Sequence, residues 1–192
     1  MKMETRMATL TMEERNEGIE DLIVGGYAVV FDSPTVVFEY DGIKYSEVIK
    51  RGALDGADMA DVPFKYNHSS NVMVMARTRN KTLSLLIDDK GLKISANLAK
   101  TSGGKDLYEL IRRGDIDKMS FAMQVTKDSY DVKTRTRTIE KIKRLGDVSA
   151  VDMPAYDDTS ISVRDYFTAQ QEMEKRAELE VMRKRLIIAT YF

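Results

Sequence analysis

The chain of 192 residues has a single imidazole, His68, in the stretch KYNHSS from Lys65 to Ser70. Any histidine-dependent chemistry must therefore pass through it. An imidazole with an ordinary pKa near 6.5 suits general-base work at neutral pH. A candidate partner is Ser120, in KMSFAMQVTKD from Lys118 to Asp128. Read as a strand, this stretch sets Met119, Phe121, Met123 and Val125 on one face and Ser120, Ala122 and Gln124 on the other. Ser120 then lies beside the small Ala122, with space above it. A serine hydroxyl is a weak nucleophile alone and needs a base within hydrogen-bond reach. A third candidate is Asp147 in LGDVSAVDMPAY, where alternation puts Asp147, Ser149 and Val151 on one face and Val148 and Ala150 on the other. A carboxylate there could hold the imidazole in one tautomer; it could equally cap a strand edge. Asp152 and Glu140 are further candidates for that third role. Taken alone, these residue types leave the bland alternatives open: serine is commonly just tolerated on a strand's polar face, and a lone loop histidine is commonly passive.

Other chemistries fare worse. There are no cysteines, which excludes disulfides, thiolate–zinc sites and a cysteine nucleophile, and fits a reducing compartment. With one histidine, a zinc site would need several carboxylates at spacings the chain does not show. SGGKD, Ser102 to Asp106, is glycine-rich and opens a helix, but it lacks phosphate-loop spacing and reads as a helix start. No G-x-S-x-G nucleophile elbow is present, which disfavours a hydrolase of small esters. No metal or cofactor is expected. The net charge is −1, and no basic stripe with interleaved aromatics exists, so neither nucleic acid nor an acidic membrane is an expected partner. The first residues lack a signal-peptide core, and no run approaches the ~20 apolar residues of a membrane span. The simplest expectation is an intracellular protein.

The elements that must position these groups are mostly short strands. Hydrophobic residues make up 43% and charged residues 32% of the chain, as in a folded soluble protein. LIVGGYAVV (22–30) is β-prone, with Gly25-Gly26 marking a bulge or bend. TVVFEY, Asp41-Gly42 and IKYSEVI read as a hairpin whose two turn residues need positive φ. VMVMA (72–76), TLSLLID (82–88) and LKISANL follow as strands, the last two joined by a turn at Asp88–Gly91. TSGGKDLYELIRRGD reads as a short helix capped by Thr101 or Ser102, with Leu107, Leu110 and Ile111 as its apolar face and Gly114 ending it. Strand character returns at MSFAMQV, then separately at RTIEKIKRL and DVSAV.

From Arg164 onward the chain is polar, rich in Glu, Lys and Arg, and reads as one long helix. Leu179, Met182 and Leu186 share a face, and Glu180 with Lys184 is a favourable i,i+4 pair. Such a helix needs something to pack on. The expected fold is mainly β with helices (a β-rich α+β class), a closed or partly open barrel flanked by helices. The expected division is 1–21 as a flexible segment or edge strand, 22–163 as the β-barrel domain, and 164–192 as the terminal helix.

Several stretches together resemble the prohead maturation proteases of tailed bacteriophages, distant relatives of the herpesvirus capsid-maturation protease. They are GYAVVFDSP (26–34), EVIKRGAL (47–54), YNH (66–68), MARTRNKTLSLLIDDKGLKISANL (75–98), DLYELIRRGDIDKMSFAM (106–123) and LGDVSAVDMPAYDDTS (145–160). Leu54 and Met123 depart from the common pattern, away from the proposed chemistry. The resemblance implies a serine peptidase of herpesvirus-protease-like fold with His68 and Ser120 as the catalytic pair and Asp147 as third member. It also implies capsid and scaffold proteins as substrates, along with the protease's own termini, inside an assembling prohead in the host bacterial cytoplasm or from an integrated prophage. A homo-oligomer is expected. Backbone amides near Ser120, or Arg77, are the suggested oxyanion donors. The terminal helix would target, pair subunits or be clipped. The competing function is a non-catalytic scaffold or capsid-assembly chaperone that uses this helix as its arm.

Overall fold

A computed structural model describes residues 3–12, 21–71, 73–152 and 161–190, with side chains in the last segment from 165 to 187. Val72 and residues 153–160, including the PAY part of the last motif, lie outside the described residues, as do 1–2, 13–20 and 191–192. In chain order the strands are β1 (Glu4–Thr9), β2 (Thr11–Met12), β3 (Ile23–Val30), β4 (Thr35–Tyr40), β5 (Ile43–Ile49) and β6 (Pro63–Tyr66). They continue as β7 (Ala76–Arg77), β8 (Leu83–Ile87), β9 (Gly91–Asn97), β10 (Lys118–Asp131) and β11 (Thr136–Val151). Helix α1 (Ser102–Arg113) precedes β10, and α2 (Ile161–Thr190) follows β11.

The protein is mainly β, in two sheets. One follows the order β1-β10-β11-β5-β4 with β6 and β7 attached to β11, and the other runs β2-β3-β9-β8. The chain switches sheets at the buried Leu10, whose N–H donates to the Asp117 carbonyl at 2.9 Å. Among the described residues no strand pairing joins the sheets into a closed barrel, so that part of the sequence expectation is corrected. The apolar faces of both sheets and of α1 instead enclose one core, which includes Val24, Leu92, Ile94, Phe64, Met119, Phe121 and Ile142.

Local chemistry accounts for most elements. Asp41 and Gly42 both take positive φ, 51° and 73°, and close the β4–β5 hairpin. Thr101 caps α1 by accepting the Gly104 N–H, and Gly114 ends it at φ 83°. The buried stripe of α1 is Gly104, Leu107, Tyr108 and Ile111. Leu110 is exposed, because it lies off the edge of that i, i+3, i+4, i+7 stripe. Gly25 and Gly26 pair in regular register with Ser95 and Ile94, and the expected irregularity falls just beyond them, as a register shift between Tyr27 and Val29. Gly26, at φ 151°, leaves no room for a Cβ against the Thr9 carbonyl and Met119.

Two further readings need correction. Met73 and Val74 are exposed and not in a strand, which begins only at Ala76, because no neighbouring strand pairs with them. RTIEKIKRL and DVSAV are one 16-residue strand, not two. Their apparent break is a bulge: Ala122 pairs with Asp147 and Met123 with Leu145, leaving Gly146 unpaired. The extra residue reverses the alternation. Leu145 and Val148 thus both face the core although three apart, and Asp147 turns to the opposite face. The end of the Met3 side chain lies over Gly146, where a Cβ would require it to move aside.

Three charged side chains are buried where β1, β5, β10 and β11 meet. Glu47 accepts from Arg6 Nη2 at 2.5 Å and from Arg137 Nη1 at 3.3 Å, while Arg137 also reaches Glu4 and Asp128 at 2.6 Å each. Each buried charge is paired and hydrogen-bonded, the condition for keeping it there. Above Arg137 lies the Tyr166 ring at 4.2 Å, and beside it the root of α2 docks through Phe167 against Tyr45, Phe38 and Tyr130. Leu179, Met182 and Leu186, expected to form the helix's packing face, are instead exposed. The docked turn is the aromatic one at residues 166–167.

Candidate active site

The site is built from strand register. Ser120 pairs with Ser149, and Ala122 with Asp147, across the antiparallel β10–β11 ladder. Directly paired residues share a face, so Ser120, Ser149 and Asp147 lie together on the side away from the core. On β11's other edge runs β6, parallel, with Ser149 opposite Lys65 and Ala150 opposite Tyr66. His68 lies two residues beyond that strand's end.

A tight turn brings it back. Asn67 and His68 both have positive φ, 51° and 53°, and the Ser69 N–H donates to the Tyr66 carbonyl at 3.0 Å. Two consecutive positive φ values between those bonded ends are the signature of a type I′ turn, and Asn and His tolerate them better than most residues. The turn is clamped from β11. The Asn67 N–H donates to the Ala150 carbonyl at 2.9 Å. The Asn67 side chain donates to Asp152 Oδ1 at 2.9 Å, and the Tyr66 hydroxyl donates to Asp152 Oδ2 at 2.7 Å.

The imidazole therefore sits over the β10–β11 pair. His68 Nε2 is 2.7 Å from Ser120 Oγ, though the two residues are 52 positions apart in sequence. His68 Nδ1 is 2.5 Å from Asp147 Oδ1. A carboxylate beside Nδ1 favours the tautomer with the proton there, leaving Nε2 to accept the Ser120 hydroxyl proton. Burial pushes the Asp147 carboxyl up. The hydrogen bond and charge attraction from His68, with Lys65 and the Ser149 hydroxyl behind them, outweigh burial and hold it below the ordinary aspartate value. Lys65 Nζ stands 3.5 Å from Asp147 Oδ2.

The structure thus brings together all three residues singled out from the sequence. It does not leave Ser120 open: the residue is 3% exposed, beneath His68 and beside Met7 of β1, its register partner. Asp152 holds the turn and not the ring. Glu140 is engaged elsewhere, with Lys127 at 2.6 Å and Ser129 at 3.1 Å. Arg77 directs Nε and Nη2 to Asp61 at 2.5 and 2.9 Å. From Lys118 to Met123, β10 is paired on both edges, which commits its backbone amides to the ladders. Neither suggestion for the oxyanion donors gains support from this geometry. Ser149, completely buried against the same ring, was not singled out from the sequence; its position opposite Ser120 depends on a register that alternation alone cannot supply.

Hydroxyl, imidazole and carboxylate in series, on a rigid β framework, are the arrangement by which serine hydrolases are recognised whatever their chain order. It can activate an oxygen nucleophile and return its proton to a leaving group. The chain belongs to the caudovirus prohead serine protease family, whose sequence model matches residues 8–176. It is 28% identical over 144 residues to the prohead protease of Enterobacteria phage HK97, covering 73% of this chain and 59% of that protein. The chain thus spans less than two thirds of that relative's length. Among solved structures it resembles the bacteriophage T4 capsid assembly protease, with a TM-score of 0.51 and 15% identity over 80% of this chain and 99% of the other. At that identity the likeness concerns the fold.

Proposed function

We propose that this chain is a serine endopeptidase of phage prohead maturation. Ser120 Oγ attacks the scissile carbonyl carbon while His68 Nε2 takes its proton. The tetrahedral adduct collapses, the C–N bond breaks, and His68 gives that proton to the departing amine. Water then repeats the sequence on the acyl-enzyme and frees Ser120. Asp147 holds the Nδ1–H tautomer and supports the imidazolium. One observation carries this reading: the chain's sole imidazole bridges Ser120 and Asp147, at 2.7 and 2.5 Å.

The proposed substrates are capsid and scaffold proteins, together with the chain's own termini, inside an assembling prohead in the host bacterial cytoplasm. The relatives' names, prohead protease and capsid assembly protease, support the prohead and capsid part of this. No helix among the described residues is long and apolar enough to cross a membrane. The working division is 1–21 as an edge segment, 22–163 as the protease domain and 164–192 as a targeting, oligomerising or self-cleaved helix. The exposure of residues 175–187 on α2 supports the last assignment. A partly open barrel shared with the herpesvirus protease belongs to the same proposal.

The test is co-expression with the major capsid protein of the same phage, followed by mass spectrometry. Wild type should shorten the capsid protein, and Ser120→Ala and His68→Ala should not. Processing that persists in Ser120→Ala refutes the nucleophile. Absence of processing by wild type, with no labelling of Ser120 by a fluorophosphonate, would make the chain a non-catalytic assembly factor.

A further inference from the structure

Two serines lie beneath the one imidazole, one under each ring nitrogen, because Ser120 and Ser149 are register partners on adjacent strands. Ser149 is completely buried. Its Oγ accepts the His68 backbone N–H at 3.2 Å, and stands 3.2 Å from Asp147 Oδ1 and 3.3 Å from His68 Nδ1. A hydroxyl has one proton to donate and two lone pairs to accept with. With Nδ1 protonated toward Asp147, the Ser149 proton has one acceptor left, Asp147 Oδ1. The same carboxylate oxygen then receives both Nδ1–H and Ser149 O–H, while Ser149 receives the amide of the residue that carries the ring.

We infer that Ser149 is a positioning residue for the reaction proposed above, on which this inference rests. It ties the backbone of His68, held at positive φ, to the oxygen that orients its ring, so that turn and carboxylate move as one body. By holding Asp147 Oδ1 at the ring, Ser149 supports the tautomer that the carboxylate selects: a proton moved to Nε2 would leave Nδ1 facing a carboxylate and would remove the acceptor that Ser120 needs. Ser149 is not itself a nucleophile, since its proton and an acceptor site are both engaged inside the protein.

Because the chain has one histidine, ¹⁵N-histidine labelling gives a single pair of ring resonances and reads the tautomer directly. In the Ser120→Ala background those resonances should report Nδ1–H. Adding Ser149→Ala should shift them toward a tautomer average and speed exchange of the Nδ1 proton with water. With Ser120 intact, fluorophosphonate labelling measures how well that oxygen is activated. Ser149→Ala should lower the limiting labelling rate on the order of a hundredfold, the effect of a small misplacement of a reacting group, without changing the half-saturating concentration. Ser149→Thr, which keeps the hydroxyl and suits a strand, should recover most of the rate. All variants are compared where circular dichroism shows them folded. If Ser149→Ala lowers thermal stability but labels at the wild-type rate with unchanged nitrogen resonances, Ser149 only fills space and the inference is wrong. Labelling that persists in Ser120→Ala would overturn the catalytic reading itself, and the nitrogen spectra would still decide the role of Ser149.

Discussion

Replacing Asp147 by Asn keeps the shape of the side chain and removes one charge. Two losses follow. The Asp147 Oδ1 to His68 Nδ1 separation is 2.5 Å, and with both charges delocalised over ring and carboxylate the centres lie about 4 Å apart. At an effective dielectric near 20 that attraction is about 4 kcal/mol, and at roughly 1.4 kcal/mol per decade it corresponds to about 10³ in rate. The second loss is the tautomer. An amide can present its NH₂ to Nδ1, which favours a proton on Nε2 and removes the acceptor for the Ser120 hydroxyl. The two effects together should lower kcat by about 10⁴, the scale seen for this substitution in serine-protease triads. The assay is cleavage of the capsid protein or fluorophosphonate labelling, with circular dichroism to confirm that the fold is retained. Activity within about tenfold of wild type would refute the argument, because it would mean that neither the charge nor the tautomer is supplied by Asp147.

Stability should fall in acid, and Asp147 should contribute. Its folded pKa lies below the ordinary value, so its stabilisation is fully present above the unfolded value near 3.9 and is lost as pH falls through the folded one. Glu4 acts in the same sense: burial pushes it up, but Arg137 and Arg6 outweigh burial and hold it down. Urea midpoints for wild type and Asp147→Asn should therefore converge below about pH 4; a constant difference from pH 7 to 3 would contradict this. Glu47→Gln leaves Arg6 and Arg137 buried and under-paired, and should cost about 3–5 kcal/mol in urea unfolding. A loss below about 1 kcal/mol would assign the cluster a surface pair's worth. Phe167→Ala removes the completely buried ring that docks α2 against Tyr45. It should cost about 3–5 kcal/mol of the docking free energy and expose residues 161–187 to limited proteolysis; unchanged protection would show that the helix is held elsewhere.

Sequence alone determined most strands, the capped helix and the one imidazole available to act as a base. The reasons are local: alternation, an Asp-Gly turn whose φ values only certain residues adopt, a threonine cap, and the presence of one imidazole. It also marks Ser120 and Asp147 as candidates, although alternation gives the right face for Asp147 only when counted within DVSAV, beyond the Gly146 bulge. What periodicity could not supply was pairing. The type I′ turn at Asn67-His68, the Gly146 bulge that turns Asp147 away from the core, and the register that sets Ser149 opposite Ser120 all depend on which strand lies beside which. The same holds for α2, where the apolar residues that looked like its packing face are exposed and an aromatic turn docks instead. Hydrogen bonds across a ladder join residues from distant parts of the chain, and a one-residue shift reverses every face. Residue types thus set what chemistry was possible, and tertiary pairing decided that a hydroxyl, a ring and a carboxylate would meet.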